Sequence, residues 1–257
     1  MKLSLVMPAR NEEGCITRTL ERFTEVLSAN VGDFEIVVVD DGSTDATADR
    51  LRAFSARHPE VVPVANTGRH GFGMAIRYGL TRITGDAVAI VMADGSDSPE
   101  DLLKYYQKLQ EGYDCVFGSR FIAGGSVVDY PGHKLLLNRM ANAFIRVLFG
   151  LSFNDITNAF KCYRREVIAG IQPLISPHFN LTVEMPLKAL VRGYSYAVVP
   201  ITWTNRAAGV SKLKIKEMGS RYLFIVLYLW LEKHLARGDY HRTMAVPAAE
   251  KVTKINA

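Results

Sequence analysis

The stretch Phe34-Glu35-Ile36-Val37-Val38-Val39-Asp40-Asp41-Gly42-Ser43 decides the fold of this chain. Its centre is apolar and β-branched without polar alternation, which is typical of a parallel strand buried on both faces. Acidic and small residues follow directly and end the strand in a polar turn. A strand of this kind needs helices on both faces of its sheet, so the same pattern is expected elsewhere in the chain.

A short apolar strand followed by a helical pattern recurs through the first half of the sequence. Strands are predicted over 3–8, 34–40, 61–65, 87–92 and 114–118. One of the intervening helices is predicted over 44–58, with Ser43 or Thr44 as its N-cap, and Ser98-Pro99-Glu100 opens another. The alternation predicts an α/β fold with a Rossmann-like, mostly parallel central sheet flanked by helices.

The regular alternation ends near Gly125. The remaining sequence predicts a helix over 135–148, a strand over 159–163, a helix over 181–191 and a strand over 196–201. We expect one domain over 1–238, which includes a C-terminal helix over about 213–236, and a disordered tail over 239–257.

The composition excludes several classes of protein. The 257 residues carry 31 Lys+Arg and 26 Asp+Glu, a formal net charge of +5. The basic residues are spread along the chain without a nucleic-acid-binding motif, so no nucleic-acid partner is expected. Three scattered cysteines exclude a disulfide framework and fit a reducing compartment. Residues 1–8 lack the features of a signal peptide, so a cytosolic chain is expected.

Acidic clusters follow two of the predicted strands, as Asp40-Asp41-Gly42-Ser43 and Asp94-Gly95-Ser96-Asp97. One such cluster alone is more often a turn or a helix cap. Because the carboxyl ends of parallel strands meet at one edge of the sheet, two clusters indicate a ligand site there. Carboxylate oxygens suit a hard divalent cation that keeps waters and substrate phosphates in its shell.

Other nucleotide and nucleophile motifs are absent from the sequence. Gly71-Phe72-Gly73 lacks the third glycine of a dinucleotide-binding loop and does not follow the first strand. The sequence contains neither a P-loop nor a GxSxG nucleophile elbow. Chemistry that depends on these motifs is therefore excluded.

Several segments carry a family resemblance. Val6-Met7-Pro8-Ala9-Arg10-Asn11-Glu12-Glu13 and Val39-Asp40-Asp41-Gly42-Ser43-Thr44-Asp45 resemble the start of family 2 glycosyltransferases of the GT-A fold. Four more segments resemble the dolichol/polyprenyl-phosphate mannosyltransferase subgroup: Gly118-Ser119-Arg120-Phe121, Arg139-x-x-Asn142, Asp155-x-Thr157-Asn158-Ala159-Phe160-Lys161-x-Tyr163-Arg164-Arg165 and Asn205-Arg206-x-x-Gly209-x-Ser211-Lys212-Leu213. The resemblance covers residues 3–235. It implies inverting transfer of a hexosyl group, mannose first, from GDP-mannose or a UDP-sugar to a polyprenyl or dolichyl phosphate.

The resemblance also implies roles for individual residues. Those expected to bind the donor are Pro8, Glu12, Asp40, Asp41, Arg69 and Asp94. Those expected to bind the acceptor phosphate are Arg120, Lys134, Arg139, Arg206 and Lys212. The expected catalytic residues are Asp94, Arg120, Arg206 and Lys212. Mg²⁺ or Mn²⁺ is expected at Asp94 and Asp97, although Met92 stands where the family has the first carboxylate of Asp-x-Asp.

The acceptor class determines which catalytic groups are needed. A polyprenyl phosphate carries about −1.5 to −2 charges near neutral pH, so it needs cations rather than a general base. A sugar hydroxyl in glycan assembly would need a base, for which Asp155 and Glu184 are the candidates, although Asp155 can instead orient an arginine. A third alternative is a non-catalytic nucleotide-sugar-binding subunit whose metal site has decayed at Met92.

The C-terminal stretch Tyr222–Leu231 is apolar on all sides. It is shorter than the roughly 20 residues of a membrane-spanning helix. Flanking lysines and arginines, with Tyr and Trp, favour a helix in the membrane interface. Packing on the sheet or on a partner subunit is an equal alternative. We expect a peripheral location on the cytoplasmic face of a membrane, with a membrane-anchoring partner protein or a homo-oligomer as further partners.

Overall fold

The computed structural model describes residues 1–205 and 215–242, without the side chains of 215–218. The strands in these ranges are β1 (Leu3–Ala9), β2 (Phe34–Asp40), β3 (Val61–Ala65), β4 (Ala87–Ile90), β5 (Cys115–Ser119), β6 (Ser126–Val128), β7 (Lys161–Arg164), β8 (Tyr196–Pro200) and β9 (Thr202–Thr204). The helices are α1 (Ile16–Asn30), α2 (Thr47–Ser55), α3 (Phe72–Leu80), α4 (Pro99–Gln110), α5 (Gly132–Phe149), α6 (Arg165–Gly170), α7 (Leu181–Val191) and α8 (Ile215–Leu235).

Seven strands form the central sheet, in the order β3-β2-β1-β4-β7-β5-β8. The sheet is parallel except for β7, which runs antiparallel to both neighbours. The predicted α/β fold with a mostly parallel sheet is therefore confirmed. From β1 the chain moves outward to β2 and β3 and then returns to β4 on the other side of β1. Ligands of open α/β sheets bind at such a switch point, beyond the carboxyl ends of the strands.

The core lies on both faces of this sheet, as the unbroken apolar run of β2 predicts. Ile36 and Val38 pack into a cluster with α1, α2 and α4, whereas Val37 and Val39 pack into a second cluster with α3, α5, α7 and α8. The two pairs face opposite sides because successive strand side chains alternate. Burial on both faces leaves the strand ends as the place for polar chemistry.

Local capping confirms one predicted helix start and corrects another. Ser98 caps α4, since its Oγ accepts a hydrogen bond from the Asp101 N–H at 3.2 Å. The expectation that α2 begins at Thr44, with Ser43 or Thr44 as its cap, is wrong, because α2 begins at Thr47. The N–H groups of Ser43 and Thr44 instead donate to the side chains of Asp40 and Asn11. These bonds hold the segment as a loop beside the strand ends.

Helix α8 combines a buried and an exposed apolar side. Ile225, Val226 and Leu229 are buried in the core, whereas Phe224 and Leu227 are exposed. The helix therefore packs on α7 and α5 and still presents an apolar surface. Among the residues described, no helix has both the length and the apolar character needed to cross a membrane.

The chain after α8 returns to the edge of the sheet. Arg242 donates its backbone N–H to the Arg192 carbonyl at 2.9 Å and pairs with Asp114 at 2.6 Å. The tail predicted over 239–257 lies outside the described residues from 243 onward.

Candidate active site

Three strand ends bring the predicted donor-binding residues to one edge of the sheet. Pro8 is buried within β1 and lies opposite Val39 in β2, so Ala9 is level with Asp40. Asp94 follows β4, the other neighbour of β1. The topology thus places the two acidic clusters on either side of β1.

Asp41 organises the loop that follows β3. Its Oδ1 accepts from Asn66 Nδ2 at 2.7 Å and lies 3.2 Å from His70 Nδ1, and its Oδ2 accepts from the Gly71 N–H at 2.8 Å. Both oxygens of this buried carboxylate are therefore engaged by the protein. Arg69, within the same loop, is exposed at the strand edge. Asp41 shapes the loop that carries Arg69.

Glu12 lies in a second loop that is tied to the start of α2. Its N–H donates to Thr47 Oγ1 at 2.8 Å, and its side chain is mostly buried. Next to it, Asn11 adopts a positive φ of 50° and accepts from the Thr44 N–H at 2.8 Å. Asp40 Oδ1 accepts from the Ser43 N–H at 2.9 Å. The loops after β1 and β2 thus form one hydrogen-bonded rim.

Asp94 and Asp97 lie together, buried, after β4. Asp94 Oδ1 accepts from the Ser96 N–H at 3.1 Å, and Asp97 Oδ2 accepts from the Met92 N–H at 2.8 Å. Burial raises the pKa of Asp97 to about 7; the nearby Asp94 raises the pKa further, while the Met92 N–H and Arg120 oppose this shift. Through its bond to the Met92 N–H, the Asp97 carboxylate lies beside Met92, the residue that replaces the first aspartate of the Asp-x-Asp motif.

This donor set fits a hard divalent cation only in part. Within residues 1–205 and 215–242, no cluster of three or more His, Cys, Asp or Glu side chains is placed to hold a metal ion. Two neighbouring carboxylates nevertheless match an ion that takes its remaining ligands from water and a diphosphate. The residues that would hold the ion are Asp94 and Asp97.

Arg120 and Asp155 form a buried, bidentate ion pair at the end of β5. Arg120 Nε donates to Asp155 Oδ2 at 2.8 Å and Nη2 donates to Oδ1 at 2.7 Å. The Arg120 backbone N–H also donates to Oδ2, at 3.0 Å. Because Asp155 is fully buried and both its oxygens are used, it orients the arginine.

Aromatic rings bring Arg120 and Arg139 together. The Arg139 guanidinium lies 4.5 Å from the centre of the Phe121 ring, and that of Arg120 lies 5.1 Å from the same ring. Tyr130 and Trp203 surround Arg120 at 5.9 and 6.0 Å. The ring contact holds Arg139 without neutralising its charge, whereas the charge of Arg120 is paired with Asp155. Sequence reasoning missed Tyr130 and Trp203, although an aromatic residue just before the Asn205-Arg206 motif was a usable signal.

The other predicted acceptor-binding residues are only partly placed. Lys134 is half-buried in the first turn of α5, the helix that also carries Arg139. Arg206 and Lys212 lie outside the described residues. The structure thus brings Arg120 and Arg139 together and places Lys134 on the same helix as Arg139.

An amide network fixes α5 beside the loop that carries Asp155. Asn138 and Asn142 both donate from Nδ2 to Thr157 Oγ1 at 2.9 Å, and Asn142 Oδ1 accepts from the Thr157 N–H at 3.1 Å. These contacts explain the spacing of the motifs around Asn142 and Thr157. They set the position of Arg139 relative to Arg120.

Lys161 is a buried cation that sequence reasoning did not single out. Its Nζ donates to the carbonyls of Ile156, Asn158 and Thr182. Burial lowers its pKa to about 7, and the charge of Asp155 opposes that shift. Lys161 therefore stabilises the loop that follows Asp155 by donating hydrogen bonds to its backbone carbonyls.

Glu184, the other candidate base, is fully buried away from solvent. Its carboxylate accepts the N–H groups of Ile175 and Ser176 at 2.8 and 2.7 Å and pairs with Lys188 at 2.8 Å. These partners give it a structural role in holding the segment before α7.

Comparison with known proteins places this geometry in a family. Residues 4–171 match Glycosyl transferase family 2. The chain is 37% identical over 186 residues to the polyprenol monophosphomannose synthase of Mycolicibacterium smegmatis, an alignment that covers 69% of each protein. It is 30% identical over 220 residues to the undecaprenyl-phosphate mannosyltransferase of Micrococcus luteus, covering 83% of this chain and 88% of the relative. It is 31% identical over 220 residues to the dolichol-phosphate mannosyltransferase of Pyrococcus furiosus, covering 84% of this chain and 60% of the relative.

A solved structure shares the fold. Glucosyl-3-phosphoglycerate synthase from Mycobacterium tuberculosis, in complex with phosphoglyceric acid, superposes with a TM-score of 0.66 at 21% identity, over 90% of this chain and 79% of that one. The same enzyme in complex with Mn²⁺, uridine diphosphate and glucosyl-3-phosphoglycerate gives 0.65. The likeness shows a shared GT-A fold.

Proposed function

The chain belongs to glycosyl transferase family 2, and on this premise we propose that it transfers mannose, with inversion, from a nucleotide sugar to a polyprenyl or dolichyl phosphate. The relatives named as polyprenol, undecaprenyl and dolichol-phosphate mannosyltransferases support both the sugar and the acceptor. GDP-mannose is the proposed donor, with a UDP-sugar as the alternative.

The observation that supports a phosphate acceptor is that neither candidate base is free to accept a proton. Asp155 and Glu184 are both fully buried with their oxygens engaged by the protein. A sugar hydroxyl would need one of them to take its proton. A phosphate acceptor is already ionised and needs cations, which Arg120 and Arg139 provide beside one ring. The geometry thus favours a phosphate acceptor over a sugar hydroxyl.

The donor is proposed to bind along the rim formed by the loops after β1, β2 and β3. Glu12 and Asp40 would contact the nucleoside, while Asp41 acts through the loop that it holds, which carries Arg69. This division follows from the hydrogen bonds, since both Asp41 oxygens are occupied by the loop. Pro8 would shape the floor of the rim from within β1.

The diphosphate of the donor is proposed to lie at Asp94 and Asp97. Asp94 and Asp97 would hold Mg²⁺ or Mn²⁺, which would supply positive charge to the departing diphosphate. Arg120, whose guanidinium is oriented by Asp155, is proposed to contact the acceptor phosphate. Arg206 and Lys212 are proposed to complete the acceptor site.

The exposed side of α8 is proposed to bring the enzyme to the cytoplasmic face of a membrane. Phe224, Leu227 and Leu231 are exposed on it, and basic residues flank the apolar stretch. A polyprenyl phosphate resides in such a membrane, so this location gives access to the acceptor. A membrane-anchoring protein or a second copy of the chain is the alternative occupant of this side.

The test is a panel of nucleotide sugars incubated with a short-chain polyprenyl phosphate and Mg²⁺ or Mn²⁺. We expect a mannosylated lipid from GDP-mannose, no product in the presence of a chelator, and an inverted anomeric carbon by NMR. Product confined to non-lipid acceptors would contradict the proposal. Absence of product with every donor would instead support the non-catalytic alternative.

Asp94→Asn tests the metal site, with Asp86→Asn as its control. Both aspartates flank β4, but Asp86 is exposed at the opposite end of the strand. We expect Asp94→Asn to lower turnover about 100-fold, since one oxygen ligand and one charge are lost. Asp86→Asn should leave turnover unchanged. Equal turnover in the two variants would remove Asp94 from the catalytic site.

A further inference from the structure

Lys161 is a cation in the interior of the protein, where substrates do not reach it. It begins β7, and it is 1% exposed. No carboxylate of the described residues pairs with its ammonium group, which donates instead to three backbone carbonyls. Burying a charge with such partners is costly, and an apolar side chain of similar size would avoid that cost. The lysine therefore needs an explanation beyond the packing of the core.

Two of the three carbonyls belong to the loop that begins at Asp155. Lys161 Nζ donates to the carbonyl of Ile156, the residue directly after Asp155, at 3.0 Å, and it also donates to the Asn158 carbonyl. The loop over 155–158 thus closes around one ammonium group. Because Asp155 accepts three hydrogen bonds from Arg120, the position of this loop sets the position of the guanidinium.

Asn158 connects the same loop to the end of β5. Its Nδ2 donates to the Gly118 carbonyl at 3.3 Å, two residues before Arg120, and its Oδ1 accepts from the Phe160 N–H at 3.3 Å. Lys161 holds the backbone of Asn158 through the carbonyl of that residue. The ammonium group therefore acts on Arg120 by two routes, through Asp155 at the guanidinium and through Asn158 at the strand end.

The third carbonyl anchors the ammonium group in the core. Lys161 Nζ donates to the Thr182 carbonyl, in the first turn of α7, at 3.3 Å. On either side of Thr182, Leu181 and Val183 are fully buried in the core. A lysine has three N–H donors, and here each has a carbonyl acceptor. The loop over 155–158 is thus fixed to a helix that cannot shift without disturbing the core.

The charge of Lys161 also acts on the ion pair of Arg120 and Asp155. Burial lowers the pKa of Lys161 to about 7; the charges of Asp155 and Asp97 oppose this shift, and the charge of Arg120 adds to it. Charges interact strongly in a poorly polarisable interior. A neutral side chain at position 161 would leave Arg120 as the one cation between two carboxylates in this group of four.

We propose that Lys161 is a positioning residue for the transfer reaction, which holds the loop over 155–158 so that Asp155 presents the Arg120 guanidinium to the acceptor phosphate. The identity of the acceptor rests on the proposed function, whereas the geometry of Arg120 does not. Because Lys161 is buried, its effect passes through Arg120. It should therefore appear in the kinetics of the acceptor and not in those of the donor.

Lys161→Gln and Lys161→Met remove the ammonium group in two degrees. Glutamine keeps two N–H donors, whereas methionine keeps none. We expect kcat/KM for a short-chain polyprenyl phosphate to fall about threefold in the first variant and about tenfold in the second, since fewer hydrogen bonds hold the loop. The KM for the nucleotide sugar should stay unchanged. Steady-state kinetics with each substrate varied in turn measure both quantities.

Lys188→Met is the matched control. Lys188 is also fully buried, pairs with Glu184 at 2.8 Å and donates to the Pro173 carbonyl, but it does not contact the loop over 155–158. We expect the melting temperature to fall by a similar amount in Lys188→Met and Lys161→Met. Only Lys161→Met should lower kcat/KM for the acceptor. An equal loss of kcat/KM in the two variants would show a structural role and overturn the proposal.

The Nε–H resonance of Arg120 reports its position without any substrate. This N–H donates to Asp155 and is buried, so it should exchange slowly with water in the parent protein. Exchange should be about tenfold faster in Lys161→Met and unchanged in Lys188→Met, as measured by NMR of ¹⁵N-labelled protein. Arg120→Lys assigns the resonance by removing it.

Two results separate this proposal from the proposed function. If the exchange rate and the acceptor kinetics match the parent in every Lys161 variant that folds, the positioning role is overturned. If the parent makes no lipid product, the proposed function fails, while the exchange rate of the Arg120 Nε–H still decides whether Lys161 positions the guanidinium.

Discussion

Asp155 shows how one buried side chain determines the chemistry of a neighbour. It receives three hydrogen bonds from Arg120, two of them from the guanidinium, and it is shielded from solvent. Alone in the sequence, this aspartate is equally suited to take a proton or to orient a cation. Because Arg120 donates hydrogen bonds to both of its oxygens, Asp155 orients the cation rather than taking a proton.

Asp155→Asn tests that role. The substitution keeps the size of the side chain but removes the charge that Arg120 requires. We expect a loss of about 3 kcal/mol in unfolding free energy, because one partner of a buried pair is left uncompensated. We expect turnover to fall about 100-fold through misplacement of Arg120. Measurements are denaturant unfolding and steady-state kinetics.

Asp129→Asn is the matched control, since Asp129 is exposed and forms no ion pair with the described residues. It should change neither quantity. If Asp155→Asn lowered stability but left turnover intact, Arg120 would not need its orientation for the reaction.

Gly71 joins the loop after β3 to the segment before α7. Its φ of +144° and ψ of 150° belong to a region that only glycine occupies readily. A Cβ at this position would lie 2.6 Å from the Pro177 carbonyl oxygen. The close approach of these two backbones fixes the end of a loop that Asp41 holds through both Asn66 and the Gly71 N–H.

Gly71→Ala should therefore displace the loop. We expect the KM for the donor to rise roughly tenfold, equivalent to about 1.4 kcal/mol, with a smaller change in kcat. Gly112→Ala provides the control, because Gly112 also has a positive φ, of +106°, but has open space around it. An equal KM in the two variants would show that the close contact between Gly71 and Pro177 does not control donor binding.

Glu35 ties three elements together at the amino ends of the strands. It starts in β2, accepts from Ser4 Oγ in β1 at 2.6 Å, and accepts from Thr84 N–H and Oγ1 before β4 at 2.6 and 2.9 Å. Burial acts to raise its pKa, but these hydrogen bonds and the charge of Lys2 outweigh burial and lower the pKa below 4.5. The carboxylate form is therefore bound more strongly in the folded state.

Glu35→Gln tests this linkage through the pH dependence of stability. A lowered folded pKa contributes stability that is complete above the unfolded value of 4.5 and is lost as pH falls through the folded value. The variant should be about 1 kcal/mol less stable than the parent near neutral pH. The difference should shrink below pH 4.5. A difference that is the same at every pH would contradict the assignment.

For the molecule as a whole, two helices depart from an ordinary globular surface: α5, on which Leu136, Met140 and Val147 are exposed, and α8. Leu223, Phe224, Leu227, Leu231 and Leu235 are all exposed on this one helix. Its other side is anchored in the core and by the buried pair of Glu232 with Arg192. The helix is therefore a fixed part of the domain with an apolar outer side.

Replacing Leu227 and Leu231 by serine should weaken binding to anionic vesicles about tenfold per residue, because apolar area is lost from the bound state. The measurement is co-sedimentation with phosphatidylcholine vesicles that contain phosphatidylglycerol. Tyr113→Ser removes another exposed large side chain, an aromatic one before β5, and should not change binding. If all variants bound alike, α8 would not be the membrane contact.

Much of this architecture follows from local sequence. The apolar run of β2 requires burial on both faces of the sheet. The start of α4 at Ser98-Pro99 depends on a few neighbouring residues, because a helix cap acts over a short distance in the sequence. The family motifs likewise identify Arg120, Asp94 and their neighbours without reference to a fold. The predicted start of α2 is wrong because Asn11, more than 30 residues away in the sequence, accepts a hydrogen bond from the Thr44 N–H.

What the tertiary structure alone decided is how these residues divide their roles. Arg120 and Arg139 share the Phe121 ring, and the carboxylates of Asp155 and Glu184 are buried and bonded to other groups of the protein, so neither is available as a base. The sequence by itself determined the strands, the acidic strand ends and the family. Accessibility and hydrogen-bond saturation depend on residues distant in the chain, and only folding brings those residues into contact.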